Sequence, residues 1–296
     1  HGGGTVLKLK DAKGPCLLDI AGATGVTING LALHGNGQGD GIHGIYMGPF
    51  PEKKEEDSPR IERCHISQFT GDGIRLAPIW CYSIRSCEIM ANKGNGLSIQ
   101  GWDGFVLDCW FSANGGAGIA TIGGNSANTL TGNRIEWNQG GGIVIKGGSH
   151  YNITGNYIDR SGGPAISILS SNGFPSFCIA ATGNVIYRSG RPGWTDASDE
   201  FQSSHIRLEE SHGVTFTGNT MCVGQDDGCG ETSPRNAIVL RALKNSVVAH
   251  NAMHIGALEH LVRDMGGHGE GVLIEGNVGS LYIDQPGKTV WQTGQL

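Results

Sequence analysis

Charge and aromatic rings are scarce in this chain. Only 16% of its 296 residues are charged and 7% are aromatic, where an average soluble domain has about 25% charged residues. No apolar run approaches the ~18–20 residues of a membrane-spanning helix. No Gly-X-Y period is present, which excludes a collagen-like rod. Cys-x-x-Cys is absent, and the eleven histidines are scattered with no ligand pair on a helix, so a zinc site is not expected. Gly-x-Ser-x-Gly is absent, as is any phosphate- or dinucleotide-binding glycine motif between a strand and a helix. Neither a metal nor a cofactor is therefore expected. The net charge of −6 argues against nucleic acid or an anionic membrane as a partner. No basic segment followed by an apolar stretch opens the chain, so no signal peptide is read.

Glycine is abundant, at 51 residues. Each would cost roughly 1 kcal/mol inside a helix, so a helical bundle is excluded and a turn-rich, all-β chain is expected. The glycines fall in a repeat. Segments 64–74, 87–97, 109–119, 133–143 and 156–166 align without gaps, their starts separated by 23, 22, 24 and 23 residues. Weaker copies begin at Asn184, Asn219, Asn251 and Asn277. The five aligned copies open with Asn or Cys, carry Ile (Phe in the copy from Cys109) two positions on, and close on a Gly-rich corner before a second apolar alternation. Within a stretch the period is 2, as strands require. Three short strands per ~23 residues cannot bury themselves alone, and stacking them creates a continuous core. The expected fold is a parallel β-helix solenoid of about ten coils, forming a single domain over residues 1–296. Insertions near 49–59, 170–177, 191–204 and 223–235 stand on both sides of the strand that follows the Gly corner (strand one), and long loops there would wall a cleft. The recurring Asn133, Asn156, Asn184, Asn219, Asn251 and Asn277 should form a buried ladder. Cys64, Cys87 and Cys109 replace Asn in earlier copies and should stack inward, small cysteines being often fully buried. Cys222 and Cys229 are close enough in one insertion for a local disulfide.

With this repeat the chain resembles the right-handed parallel β-helix proteins of the pectate-lyase-like superfamily, over nearly all residues from Val26 to Ile283. The resemblance implies a right-handed solenoid and raises the expectation of carbohydrate chemistry. It also implies a polysaccharide or oligosaccharide partner, a homotrimer as the oligomer to test, and an extracellular, cell-surface or virion-associated setting. It does not choose among hydrolase, lyase, epimerase and fructotransferase, nor does it exclude a non-catalytic glycan-binding shaft.

Candidate residues come from the outward columns. Just after the inward Ile of strand three, the column reads Ser67, Met90, Ser112, Glu136, Asp159, Tyr187, Cys222 and His254. Glu136 over Asp159 is a pair of acids on adjacent coils, ~4.8 Å apart, the arrangement that glycoside hydrolysis uses. Trp137, Arg160, Tyr187 and Arg188 follow in these coils as groups for sugar faces and oxygens. A second constellation lies on strand one, where Glu209 is expected among Lys146, Arg207 and Arg241. A carboxylate flanked by cations suits a base or nucleophile. Trp194 and Asp196 lie on an insertion and complete the candidate substrate-binding set. The expected activity is glycoside hydrolysis of a polysaccharide or oligosaccharide by a carboxylate pair, in a cleft on the side of the β-helix.

Overall fold

The computed structural model describes residues 4–48, 56–191, 198–225 and 232–282. Among these residues there is no helix, and the strand pairings between successive coils are all parallel. One coil shows the plan. Strand one is Gly141–Lys146, strand two is Gly148–Thr154 and strand three is Tyr157–Asp159. Strand three of each coil pairs with strand three of the next, building one sheet of 11 strands from Val6–Lys8 to Val278–Leu281. Strands one and two form the other two faces, merged into one 21-stranded sheet by pairings that run through their shared corner. The architecture is the parallel β-helix expected from the repeat.

The register follows from the inward apolar row. On the strand-three face it runs Ile66, Ile89, Phe111, Ile135, Ile158, Ile186 and Met221, each opposite the next and each essentially without solvent contact. A one-residue slip would turn this row out to water, at roughly 1.5–3 kcal/mol per large side chain. The asparagine ladder then locks the coils. Asn133, Asn156, Asn184, Asn219 and Asn251 each donate Nδ2 to the Oδ1 of the next Asn, at 2.8–3.0 Å. Each also donates Nδ2 to a carbonyl of the preceding coil, as Asn133 does to Val106 at 3.0 Å. A second ladder, Asn92 to Asn114 to Asn138, repeats the device at the Gly corner with steps of 2.9 Å. Cys64, Cys87 and Cys109 stack buried at the head of the first ladder, and the Cys109 N–H donates to Asn133 Oδ1 at 3.0 Å. Hydrogen bonding to the next thiol raises Cys87 to about 12, which leaves it inert at neutral pH. The expected Cys222–Cys229 pairing falls on Cys229, outside the described residues.

The Gly corner carries a second steric rule. A Cβ on Gly142 would sit 2.3 Å from the Ala165 carbonyl oxygen and 2.7 Å from Ile158 Cγ2. Gly73, Gly96 and Gly118 occupy the same position in earlier coils and face comparable contacts. Gly142→Ala should therefore lower stability by about 2 kcal/mol through overpacking, read as a fall in the urea midpoint. An unchanged midpoint would mean that the corner yields freely. At this inner position the later coils carry Ala165, then His205, then Ala237, all fully buried. His205 is therefore a corner residue turned into the core. The imidazole takes a place held elsewhere by Gly or Ala, and its two ring nitrogens have no hydrogen-bond partner.

Candidate functional site

The residue after strand three is left-handed in coil after coil: Ala91, Ala113, Trp137, Arg160 and Arg188 have φ of 54°, 54°, 60°, 52° and 48°. Non-glycine residues rarely hold this conformation. Here the repeat imposes it, and it brings large side chains to the edge of the strand-three face. The outward column lies in the expected register from Ser67 to Cys222, with Glu136 directly opposite Asp159 and Asp159 opposite Tyr187.

The two acids are held very differently. Asp159 is 1% exposed. Its Oδ1 accepts from Arg188 Nε at 2.9 Å, and its Oδ2 accepts from Arg188 Nη2 at 2.7 Å and Arg160 Nη1 at 2.5 Å. Such a clasp offsets the cost of burying charge only because the donors fit both oxygens. Glu136 is 5% exposed, and its oxygens accept from Trp110 Nε1 at 3.1 Å and Arg134 Nε at 3.0 Å. Rings cover the guanidinium groups. Arg160 lies 4.3 Å from the Trp137 ring, Arg191 5.3 Å from the same ring, and Arg188 4.0 Å from Tyr187. Burial, then the nearby Arg160 and Arg188, pushes the Arg191 guanidinium below its usual pKa. Burial is also the main reason that the Tyr157 and Tyr187 phenols are raised. Arg188 Nη1 further donates to the Gln225 carbonyl at 2.8 Å, tying this cluster to the base of the insertion after Val223.

Glu209 sits on strand Ser204–Glu209 of the strand-one face, in the other sheet. Arg207 Nε and Nη2 donate to its Oε2 at 2.8 and 2.5 Å. Arg241, directly opposite in register, bonds Oε1 and reaches Glu210 Oε1 at 3.1 Å. Phe201 lies against both arginines, 4.9 Å from Arg207 and 5.6 Å from Arg241. Lys146 stands in the same row two coils earlier, with Leu169 between. The structure thus gathers Glu136, Trp137, Asp159, Arg160, Tyr187 and Arg188 on the strand-three face. It gathers Arg207, Glu209 and Arg241 on the strand-one face. Trp194 and Asp196 lie outside the described residues.

Three contributors escaped the sequence reading. Trp110, Arg134 and Tyr157 form the outward row one alternation before the Glu136 column, in mutual register. The same period of 2 that marks the Glu136 column marks them. A polar set near the N-terminal end, His43, Asp72 and Asn95, proves to be a corner ladder. His43 Nδ1 accepts from the Asp72 N–H, Asp72 Oδ1 from the Asn95 N–H, and Asn95 Oδ1 from the Ala117 N–H, at 2.7–2.8 Å. Burial lowers the His43 pKa, in keeping with a neutral ring whose Nδ1 accepts. Among the described residues no group of three or more His, Cys, Asp or Glu is arranged to hold a metal ion.

Stacked parallel coils with side-chain ladders and a cluster of carboxylates, arginines and rings on the outer surface define a β-helix protein with a polar surface site. The right-handed β-helix family model matches residues 17–135 and 122–285, and the chain belongs to that family. Solved structures with a similar fold include tailspike protein 2 of an Escherichia coli bacteriophage, at 14% identity and TM-score 0.59, covering 83% of this chain and 39% of that one. The mannuronan C-5 epimerase A-module of Azotobacter vinelandii has 13% identity and TM-score 0.54, covering 95% and 83%. The catalytic unit of an α-1,3-glucanase from Streptomyces thermodiastaticus has 13% identity and TM-score 0.58, covering 91% and 51%. The chain thus spans about half or less of the tailspike and glucanase chains.

Proposed function

We propose that this chain is the β-helix portion of a carbohydrate-active enzyme and that it hydrolyses a glycosidic bond on the strand-three face. The observation that carries this reading is the direct register of Glu136 and Asp159 within one patch of rings and arginines. Glu136 is the carboxyl assigned to the sugar, where it would pass a proton to or from the reacting oxygen. With both oxygens of Asp159 taken by guanidinium groups, its role in the unliganded protein is to position Arg160 and Arg188 toward sugar oxygens. It becomes the second reacting carboxyl only if a guanidinium moves onto the substrate. Its coil spacing of ~4.8 Å from Glu136 would then fall near the ~5–5.5 Å separation of retaining enzymes. Trp137 and Tyr187 supply apolar faces for sugar rings. The named activities of the structural neighbours, a glucanase and a mannuronan epimerase, support carbohydrate as the substrate class.

A second reading places the chemistry at Glu209, because Arg207 and Arg241 hold that carboxylate beside the Phe201 ring. A base so placed would suit a lyase or an epimerase. The test is product release from neutral and acidic polysaccharides, followed by mass and by ultraviolet absorbance of unsaturated ends. Glu136→Gln should cut turnover at least ~100-fold, with saturated products in wild type and with Glu209→Gln much less affected. Full turnover in Glu136→Gln would sink the first reading. Unsaturated products lost in Glu209→Gln would establish the second. Glycan binding without any turnover would make the chain a binding solenoid.

A further inference from the structure

We infer that Trp110, Arg134 and Tyr157 form a sugar-binding subsite beside Glu136, so that a polysaccharide runs along the solenoid axis over the strand-three face. This rests on Glu136 being the reacting carboxyl. The three side chains stack on consecutive strands, Trp110 opposite Arg134 and Arg134 opposite Tyr157. The Arg134 guanidinium lies between the two rings, 5.8 Å from Trp110 and 5.0 Å from Tyr157. The strip is open to solvent: Trp110 is 37% exposed and the Arg134 side chain 55%.

Two features point to a ligand rather than to a surface ladder alone. First, Arg134 uses Nε on Glu136 while more than half of its side chain is exposed, which leaves guanidinium N–H groups within reach of a ligand. A planar guanidinium fork over two rings matches a pair of oxygens on one sugar unit, with the ring surface it leaves uncovered free to meet the sugar's C–H groups. Second, Trp110 and Arg134 are the same two residues that hold the Glu136 oxygens. A sugar seated on the strip therefore meets the groups that aim the reacting carboxyl. The row also has a direction. Beyond Tyr157 it continues as Val185 and Thr220, which offer neither ring nor charge, whereas before Trp110 it carries Glu88 and His65. The subsite therefore spans the Glu136 coil and its two neighbours, and only toward the N-terminal end does the row continue with groups able to bind a sugar.

The test uses the full chain with two probes, mannuronan oligosaccharides and α-1,3-glucan oligosaccharides, because a carboxylate pair or two hydroxyls would both satisfy the Arg134 fork. Binding is measured by calorimetry for wild type, Trp110→Ala, Trp110→Phe and Tyr157→Ala, with thermal midpoints in parallel. Trp110→Ala and Tyr157→Ala should each weaken binding of the preferred probe about tenfold. Trp110→Phe should keep the affinity but lower kcat, because it retains a ring and loses the N–H that holds Glu136. Preference for mannuronan would assign the fork to a carboxylate, and preference for glucan to hydroxyls. Unchanged affinity in Trp110→Ala, with only the thermal midpoint lowered, overturns the subsite and leaves a structural ladder. Failure of wild type to bind either probe also counts against it. Full turnover in Glu136→Gln instead removes the catalytic reading, whatever the affinities show.

Discussion

Asn156→Ala should destabilise the solenoid by about 3 kcal/mol. Asn156 is buried and makes four side-chain hydrogen bonds. Its Nδ2 donates to the Leu130 carbonyl and to Asn184 Oδ1, both at 3.0 Å. Its Oδ1 accepts from Asn133 Nδ2 at 2.9 Å and from the Asn133 N–H at 3.0 Å. Alanine would leave the Asn133 N–H dry and unpaired, at about 1–3 kcal/mol, would take a second donor from the Leu130 carbonyl, and would remove one rung between coils. Water cannot readily compensate inside a close-packed wall. In a stacked repeat each coil leans on its neighbours, so the loss should appear in the whole urea transition. Asn152→Ala is the control: that side chain lies exposed on strand two, and its loss should cost less than ~0.5 kcal/mol. A midpoint shift in Asn156→Ala no larger than the control's would mean that the ladder does not bind the coils together.

His205 should make the fold sensitive to mild acid. Burial lowers its pKa to about 3. The unfolded chain takes up this proton near pH 6.5. Between about pH 6.5 and 3 the unfolded state is therefore protonated at His205 and the folded state is not. By linkage, stability falls as pH falls through that window, and this contribution is flat above it. The loss from this residue is about 2 kcal/mol at pH 5 and about 3 kcal/mol at pH 4. His205→Leu is apolar and of similar size, and should remove that slope. Glu200 and Glu259 are held below the usual carboxylate range by hydrogen bonds from Arg263 and Arg235. They lose those pairings in acid in both proteins, so the wild-type-minus-variant difference isolates His205. Parallel stability curves for the two proteins from pH 7 to pH 4 would refute the assignment.

Much of the architecture is legible because it is local and repeated. The period of 2 around Ile135 and Ile158 sets which side chains face in, and the ~23-residue interval sets which residues meet on adjacent coils. From these two facts come the asparagine ladder, the buried cysteine stack and the pairing of Glu136 with Asp159. Trp110, Arg134 and Tyr157 were within reach of the same reasoning, one alternation upstream. His205 was too, since aligning the corner column places it after Gly118, Gly142 and Ala165.

What the sequence by itself determined is therefore the solenoid, its register and the outward columns, because each depends only on spacing along the chain. The tertiary structure decided how each acid is held and which groups share a face. Arg160 and Arg188 clasp Asp159 because left-handed corners bring them beside its strand, one from its own coil and one from the next. Neither spacing nor charge specifies that orientation. The Glu136 and Glu209 groups lie on different sheets, because the corner after strand three turns the chain onto another face before strand one begins. Periodicity repeats at every coil and is written into each one, whereas a side chain's direction at an irregular corner depends on the atoms packed around it.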